Sequence, residues 1–164
     1  MKVDSLRKLW ISELKDLYSA ETQLIKALEK MSKKATNPDL KQGFLAHLKE
    51  TKGQRDRLQL IFKNLEYGAT GEKCKAMAGL ISEGEELMEE VEEPAALDAA
   101  LILAAQKVEH YEIASYGAAC EYAKLLGEDE AQAILHETLE EEKATNEKLM
   151  AMAKATINEQ AMAG

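Results

Sequence analysis

Six residues of this chain have the types and helical phase to build a buried polar centre. Glu21 follows Leu14 by seven and Leu17 by four, and precedes Leu24 by three and Leu28 by seven. It therefore shares their apolar face. His47 and Glu50 stand one turn apart beside Leu48, with Gln54 a turn further on. Glu109 and Glu112 are spaced i and i+3, in line with Ala105 and with Ile113 and Tyr116. Glu142 lies seven after Leu135, three after Leu139 and seven before Leu149.

Each of these has an ordinary reading. A single glutamate on an apolar stripe is usually a boundary residue whose stem packs while its carboxylate reaches water. A core-facing histidine is usually a hydrogen-bonded structural residue. Tyr18, Tyr111, Tyr116 and Tyr122 read as packing residues with satisfied hydroxyls. The run Glu137 to Glu142 reads as a solvated face from which only Glu142 turns inward, and Glu83, Glu85, Glu86, Glu89 and Glu90 form another solvated face. The joint occurrence is different, because burying several like charges near one another is very costly unless they are neutralised. Protonation would neutralise them, as would basic partners, but the stripes offer few inward Lys or Arg. Two divalent or trivalent cations would do so more completely. Clustered carboxylates with one imidazole suit iron or manganese better than zinc or copper.

The elements that must bring these residues together are helices. Asp4 or Ser5 can cap a first helix over residues 5–35, with apolar positions at Leu6, Leu9/Trp10, Leu14, Leu17, Leu24, Leu28 and Met31. Asn37 and Pro38 suit an N-cap and the first helical position of a second helix, 38–67, which is expected to stop at Gly68. Each spans roughly 45 Å at 1.5 Å per residue, and the short turn makes them antiparallel neighbours. A shorter amphipathic helix over 74–90 has Met77, Leu80, Ile81, Leu87 and Met88 on its apolar face. Pro94 opens a third long helix, 95–126, that stops at Gly127, and a fourth covers 129–158 with Ile134/Leu135, Leu139, Leu149 and Met152 inward. The plan of long, long, connector, long, long fits a four-helix bundle with one crossover. The stretch from Ala95 to Ala105 is apolar almost all round, so the connector helix or a second subunit must cover it.

Composition agrees with one all-α domain spanning 1–164. The chain has 164 residues, 46% hydrophobic, with two prolines and 5% aromatics, which is large enough for its own core and favours helix. A net charge of −9 with no basic stripe argues against nucleic acid or an anionic membrane as partner. Cys74 and Cys120 make neither a CxxC pair nor a metal-finger spacing. No apolar leader follows Met1 and no stretch approaches a membrane span, so the expected location is the cytoplasm.

Four phrases carry a family resemblance: Glu13-Leu14-Lys15-Asp16-Leu17-Tyr18-Ser19-Ala20-Glu21, His47-Leu48-Lys49-Glu50-Thr51, Gln106 through Gly117 around Glu109-His110-Tyr111-Glu112, and Thr138-Leu139-Glu140-Glu141-Glu142-Lys143-Ala144-Thr145. They resemble the bacterial YciE/YciF stress-induced family of the ferritin-like, rubrerythrin-related superfamily, over nearly the whole chain. The resemblance implies a ferritin-like antiparallel bundle, a homodimer and a dinuclear metal site, in a family without a settled activity. It implies Glu21 as the first-helix ligand, Glu50 and Glu142 as bridging carboxylates, and Glu109 with Glu112 as the third-helix pair. The chain departs from rubrerythrin-like relatives where these carry Glu-x-x-His: Gly53 follows Glu50, and Thr145 follows Glu142. The one inward imidazole, His47, precedes Glu50 by a turn.

Two functional readings follow. In the first, Glu21, His47, Glu50, Glu109, Glu112 and Glu142 hold two iron or manganese ions per chain that act on peroxide or oxygen, fed by an external electron donor. Tyr18, Tyr116 and His110 are then candidates to orient the ligands. In the alternative, the chain is a non-enzymatic structural or partner-binding stress protein with a vestigial or structural metal site. Ferritin-like mineral storage is a weaker third reading, since a dimer encloses no cage.

Overall fold

In the computed structural model, which describes residues 2–163, the Ser5 hydroxyl accepts from the Lys8 amide and opens α1, Leu6–Lys34. Met1 and Gly164, the ends of the expected 1–164 domain, lie outside the described range. Helix α2, Pro38–Asn64, begins as its sequence suggests: the Asn37 side chain accepts from the Asp39 and Leu40 amides, with Pro38 in the first turn. The crossover helix α3 is Lys75–Glu90, capped by the Cys74 thiol, which accepts from the Met77 amide. Glu93 caps α4, Pro94–Leu125, by accepting from the Ala95 and Ala96 amides. Helix α5 is Asp129–Met152; a π-helical turn, Ala153–Ile157, and a short α6, Asn158–Met162, carry the line onward.

Two boundaries differ from expectation. Helix α2 ends at Asn64 and not near 67, because Glu66 takes a left-handed conformation (φ 57) and Tyr67 N–H closes back onto the Phe62 carbonyl at 3.0 Å. The stop usually supplied by glycine is made here by a glutamate, and Gly68 has no part in it. The fourth long helix is regular only to Met152, where the π turn interrupts it. Gly127, by contrast, ends α4 as expected, at φ 72 with Glu128 N–H on the Ala123 carbonyl at 2.9 Å. Leu6 and Leu9 also turn outward; Trp10 and Ile11 occupy the core in their place.

Side-chain pairings give the topology. Arg7 meets Glu128, Trp10 meets Ala119 and Thr36 meets Asp98, so α1 runs antiparallel to α4. Gln54 meets Glu141, Arg57 meets Glu137 and Asn64 meets Glu130, so α2 runs antiparallel to α5. With two hairpins, α2 and α4 are parallel and diagonal, which obliges the chain to travel the bundle's length between them. Helix α3 makes that journey against α1 and α4. Its Met77 is buried and Leu80, Ile81, Leu87 and Met88 pack against the cluster that holds Leu97, Leu101 and Ala104, so the connector covers one face of Ala95–Ala105 while Leu103 stays 50% exposed. Asp98 locks the other end: its carboxylate accepts from Thr36 N–H, Thr36 Oγ1 and Asn37 N–H at 2.8, 2.6 and 2.9 Å.

The core has two apolar halves. One gathers Leu24, Leu28, Leu40, Phe44, Leu101, Val108 and Leu149. The other gathers Trp10, Leu14, Leu17, Leu58, Ile61, Tyr116 and Leu135. The inward glutamates lie in the layer between them.

Candidate metal centre

Helical phase delivers the acidic residues as expected. Glu21, Glu109, Glu112 and Glu142 are each 0% exposed and His47 is 3% exposed. His47, Glu109, Glu112 and Glu142 each offer a ligand atom within 4.8 Å of the others. Glu21 joins them from α1: one oxygen accepts from the Tyr116 hydroxyl, and Glu142 and Glu112 are its carboxylate neighbours. Glu50 stands apart from this group. It is half-buried, its Oε2 accepts from Thr145 Oγ1 at 3.3 Å, and its charge still bears on His47 and Glu109.

The electrostatics are those of crowded carboxylates in an apolar layer. Burial first, then the Glu142 charge, raises the Glu21 carboxyl well above the usual range. Glu109 is raised by burial and by its contact with Glu142, and Glu112 by burial, Glu142 and Glu21. Burial lowers His47, against the opposing pull of Glu142 and Glu50. Without a cation the cluster therefore holds protons and a neutral imidazole.

The donor set fits a metal, and without one it can share protons, since Glu21 with Glu112, and Glu142 with Glu109 and Glu112, lie within hydrogen-bond reach once one of each pair is protonated. Both oxygens of Glu109, Glu112 and Glu142, one oxygen of Glu21 and both nitrogens of His47 are buried without a hydrogen-bond partner. His47 Nε2 and Glu109 Oε1 are 3.0 Å apart, yet not aligned as donor and acceptor. Native interiors rarely bury so many acceptors with so few N–H or O–H donors around them, and converging lone pairs of this kind suit a shared cation. Among the described residues no Lys or Arg pairs with the cluster; the Arg57 guanidinium is held by Glu137 and Glu141 at 2.6 Å each and by Thr138 Oγ1 at 3.2 Å.

Among the surrounding groups, Tyr116 alone of the three expected orienting residues reaches the cluster. The Tyr18 hydroxyl accepts from Gln59 at 2.8 Å, and His110 is exposed with Nδ1 2.8 Å from the Gln106 carbonyl. Tyr111 is a packing residue with a satisfied hydroxyl, which donates to Asp16 and touches Cys74 Sγ at 3.1 Å. What the phase reading missed is the rest of the polar lining of the α2 and α5 faces: Thr51, Thr138 and Thr145 are buried along with Gln54, which it had placed beside His47 and Glu50. Their i+4 and i+7 spacing from His47, and i−4 and i+3 from Glu142, was the available signal.

Comparison with known proteins agrees over the full length. The model described as a domain of unknown function, DUF892, matches residues 5–162. Protein YciF of Escherichia coli strain K12 is 46% identical over 162 residues, covering 98% of each chain. The crystal structure of that E. coli protein, described as a stress protein, superposes with a TM-score of 0.91 over 95% of this chain and 99% of the other. YcfI of Rhodopseudomonas palustris is 44% identical with a TM-score of 0.88, over 90% and 94% of the two chains. A Xanthomonas campestris protein, 21% identical, shares the fold alone, at a TM-score of 0.73 over 93% and 94%. With a family model over nearly the whole chain and a relative at this identity, the chain belongs to the DUF892 family.

Proposed function

We propose that this chain is a stress-associated, ferritin-like protein whose buried cluster binds two iron or manganese ions and acts on peroxide or oxygen. The observation that carries the reading is the set of unpartnered carboxylate and imidazole atoms between the two apolar cores. Similarity to a protein described as a stress protein supports the physiological half. Glu21, His47, Glu109, Glu112 and Glu142 hold the ions, and Glu50 completes the set by turning inward from Thr145. Bound ions of this kind supply Lewis acidity and electron transfer.

The chain's own residues do the rest. Tyr116 donates to Glu21 and fixes its free oxygen toward the cluster. The carboxyls release their protons as ions bind, so loading acidifies the medium. The apolar cores exclude bulk water and any substrate larger than a few atoms, which matches peroxide or dioxygen. Electrons come from an external donor protein, and the working unit is a cytoplasmic homodimer.

A second reading is favoured by one observation: a single imidazole serves the whole cluster. It makes the protein a non-enzymatic stress protein with a structural or vestigial site. Elemental analysis of protein prepared without chelator separates the two. About two iron or manganese atoms per chain, with peroxide consumption lost in Glu50→Ala, supports the enzyme. Metal-free protein that takes up neither ion refutes it.

A further inference from the structure

The cluster is sealed on most sides. Toward α1 it is closed by the buried Leu17, Ala20 and Leu24 and by Glu21, which accepts from the buried Tyr116 hydroxyl of α4. Along the bundle axis it is closed by the two apolar cores. A hydrated cation crosses neither at useful speed, since stripping its water in an apolar passage is very costly.

The seam between α2 and α5 has a different lining. Setting aside the cluster itself and the Ser32 and Asp98 side chains, every buried polar side chain among the described residues lies on these two helices. They form rungs across the seam: Glu50 with Thr145, Gln54 with Glu141, and Arg57 with Thr138. Gln54 is 0% exposed, and its Oε1 has no partner. Arg57 neutralises Glu137 and Glu141. Glu50 makes no ion pair among the described residues, although it reaches from half-exposure to within electrostatic range of His47 and Glu109. Between Glu50 and Arg57 on the same stripe stands Gly53, where an added Cβ would meet nothing within 4 Å.

We propose that the α2–α5 seam is the route by which a divalent cation reaches the buried cluster, with Gly53 as its open mouth, Glu50 as the first ligand and the free Gln54 oxygen as a relay. The proposal rests on the metal reading above and adds the path. Glu50 attracts the hydrated ion at the surface. The Thr145 hydroxyl and Gln54 Oε1 replace its waters one at a time, so that no step leaves the ion bare. Glu50 then follows the ion inward, which accounts for a carboxylate that belongs to the ligand pattern yet lies outside the cluster.

Stopped-flow uptake of Co2+, read by its visible absorbance, tests this on three chains: the parent, Gly53→Leu and Gly117→Leu. Both substitutions remove a helix-weakening glycine where a Cβ meets no neighbour within 4 Å, and far-UV circular dichroism of both variants should match the parent. Only the first narrows the seam; Gly117 lies on α4. The expected result is uptake slowed about tenfold or more in Gly53→Leu alone, with the same final Co2+ per chain by elemental analysis in all three. Parent-like uptake in Gly53→Leu, or equal slowing in both variants, overturns the route while leaving the metal reading intact. No Co2+ uptake by the parent overturns the metal reading, and the route with it.

Discussion

Replacing Glu112 with glutamine should change stability in opposite directions with and without metal. Glu112 is fully buried with Glu142, Glu21 and Glu109 around it. Ligand atoms of Glu112, Glu109 and Glu142 lie within 4.8 Å of one another. At that separation and an effective dielectric near 20, two unit charges repel by about 3 kcal/mol. Shared protons relieve part of this, so removing one carboxylate should stabilise the metal-free chain by about 1–3 kcal/mol. For a domain of this size that raises Tm by about 3–10 °C. With free Mn2+ at about one hundred times its Kd, the parent gains about 2.7 kcal/mol from binding, and Glu112→Gln should lose most of that gain. The assay is thermal unfolding followed by circular dichroism near pH 8, in chelator and in excess Mn2+. A variant that melts lower in chelator yet keeps the full metal increment would refute the reasoning, because Glu112 would then be a packing residue and no ligand.

Three further predictions concern the frame around the site. Asp98→Ala removes three hydrogen bonds from the α1–α2 turn and leaves the partly exposed Thr36 and Asn37 amides to water, and should cost about 2–4 kcal/mol in urea unfolding. Glu66→Gly should raise the urea midpoint and Gly127→Ala lower it, each by about 1 kcal/mol in stability, since both positions hold a left-handed backbone. Burial, with the Glu121 charge second, pushes the Cys120 thiol up from 9.0 to about 11. The folded chain thus holds that proton more tightly than the unfolded one. The stabilisation is fully present below about pH 9 and is lost as pH rises through about 11. The urea midpoint of the parent should therefore fall across that window more steeply than that of Cys120→Ala.

Much of this was legible along the chain because helical phase is a local property. Glu21, Glu109, Glu112 and Glu142 could be turned inward by counting from Leu14, Ala105 and Leu139, since a helix's period places each side chain relative to its neighbours without reference to any other helix. Asn37 with Pro38, and Gly127, marked helix ends for the same reason: caps are made by residues within a few positions of the break. Glu66 evaded that reading because its left-handed backbone is set by closure onto Phe62 and not by its own side-chain type. Tyr18 and Tyr116 looked alike by phase, and only the packing of α1 against α4 brought Tyr116 onto Glu21 while Tyr18 turned to Gln59. Likewise, Glu50 had the spacing of a ligand, but its side chain reaches the Thr145 hydroxyl on a helix some ninety residues away. Phase along the chain marked most of the residues that face inward, Leu6, Leu9 and Glu50 excepted, and the chemistry they offer. Only the packing of the helices settles which helix each meets, which carboxylates converge, and that Thr51, Gln54, Thr138 and Thr145 line the seam between α2 and α5, because those contacts depend on how four helices cross.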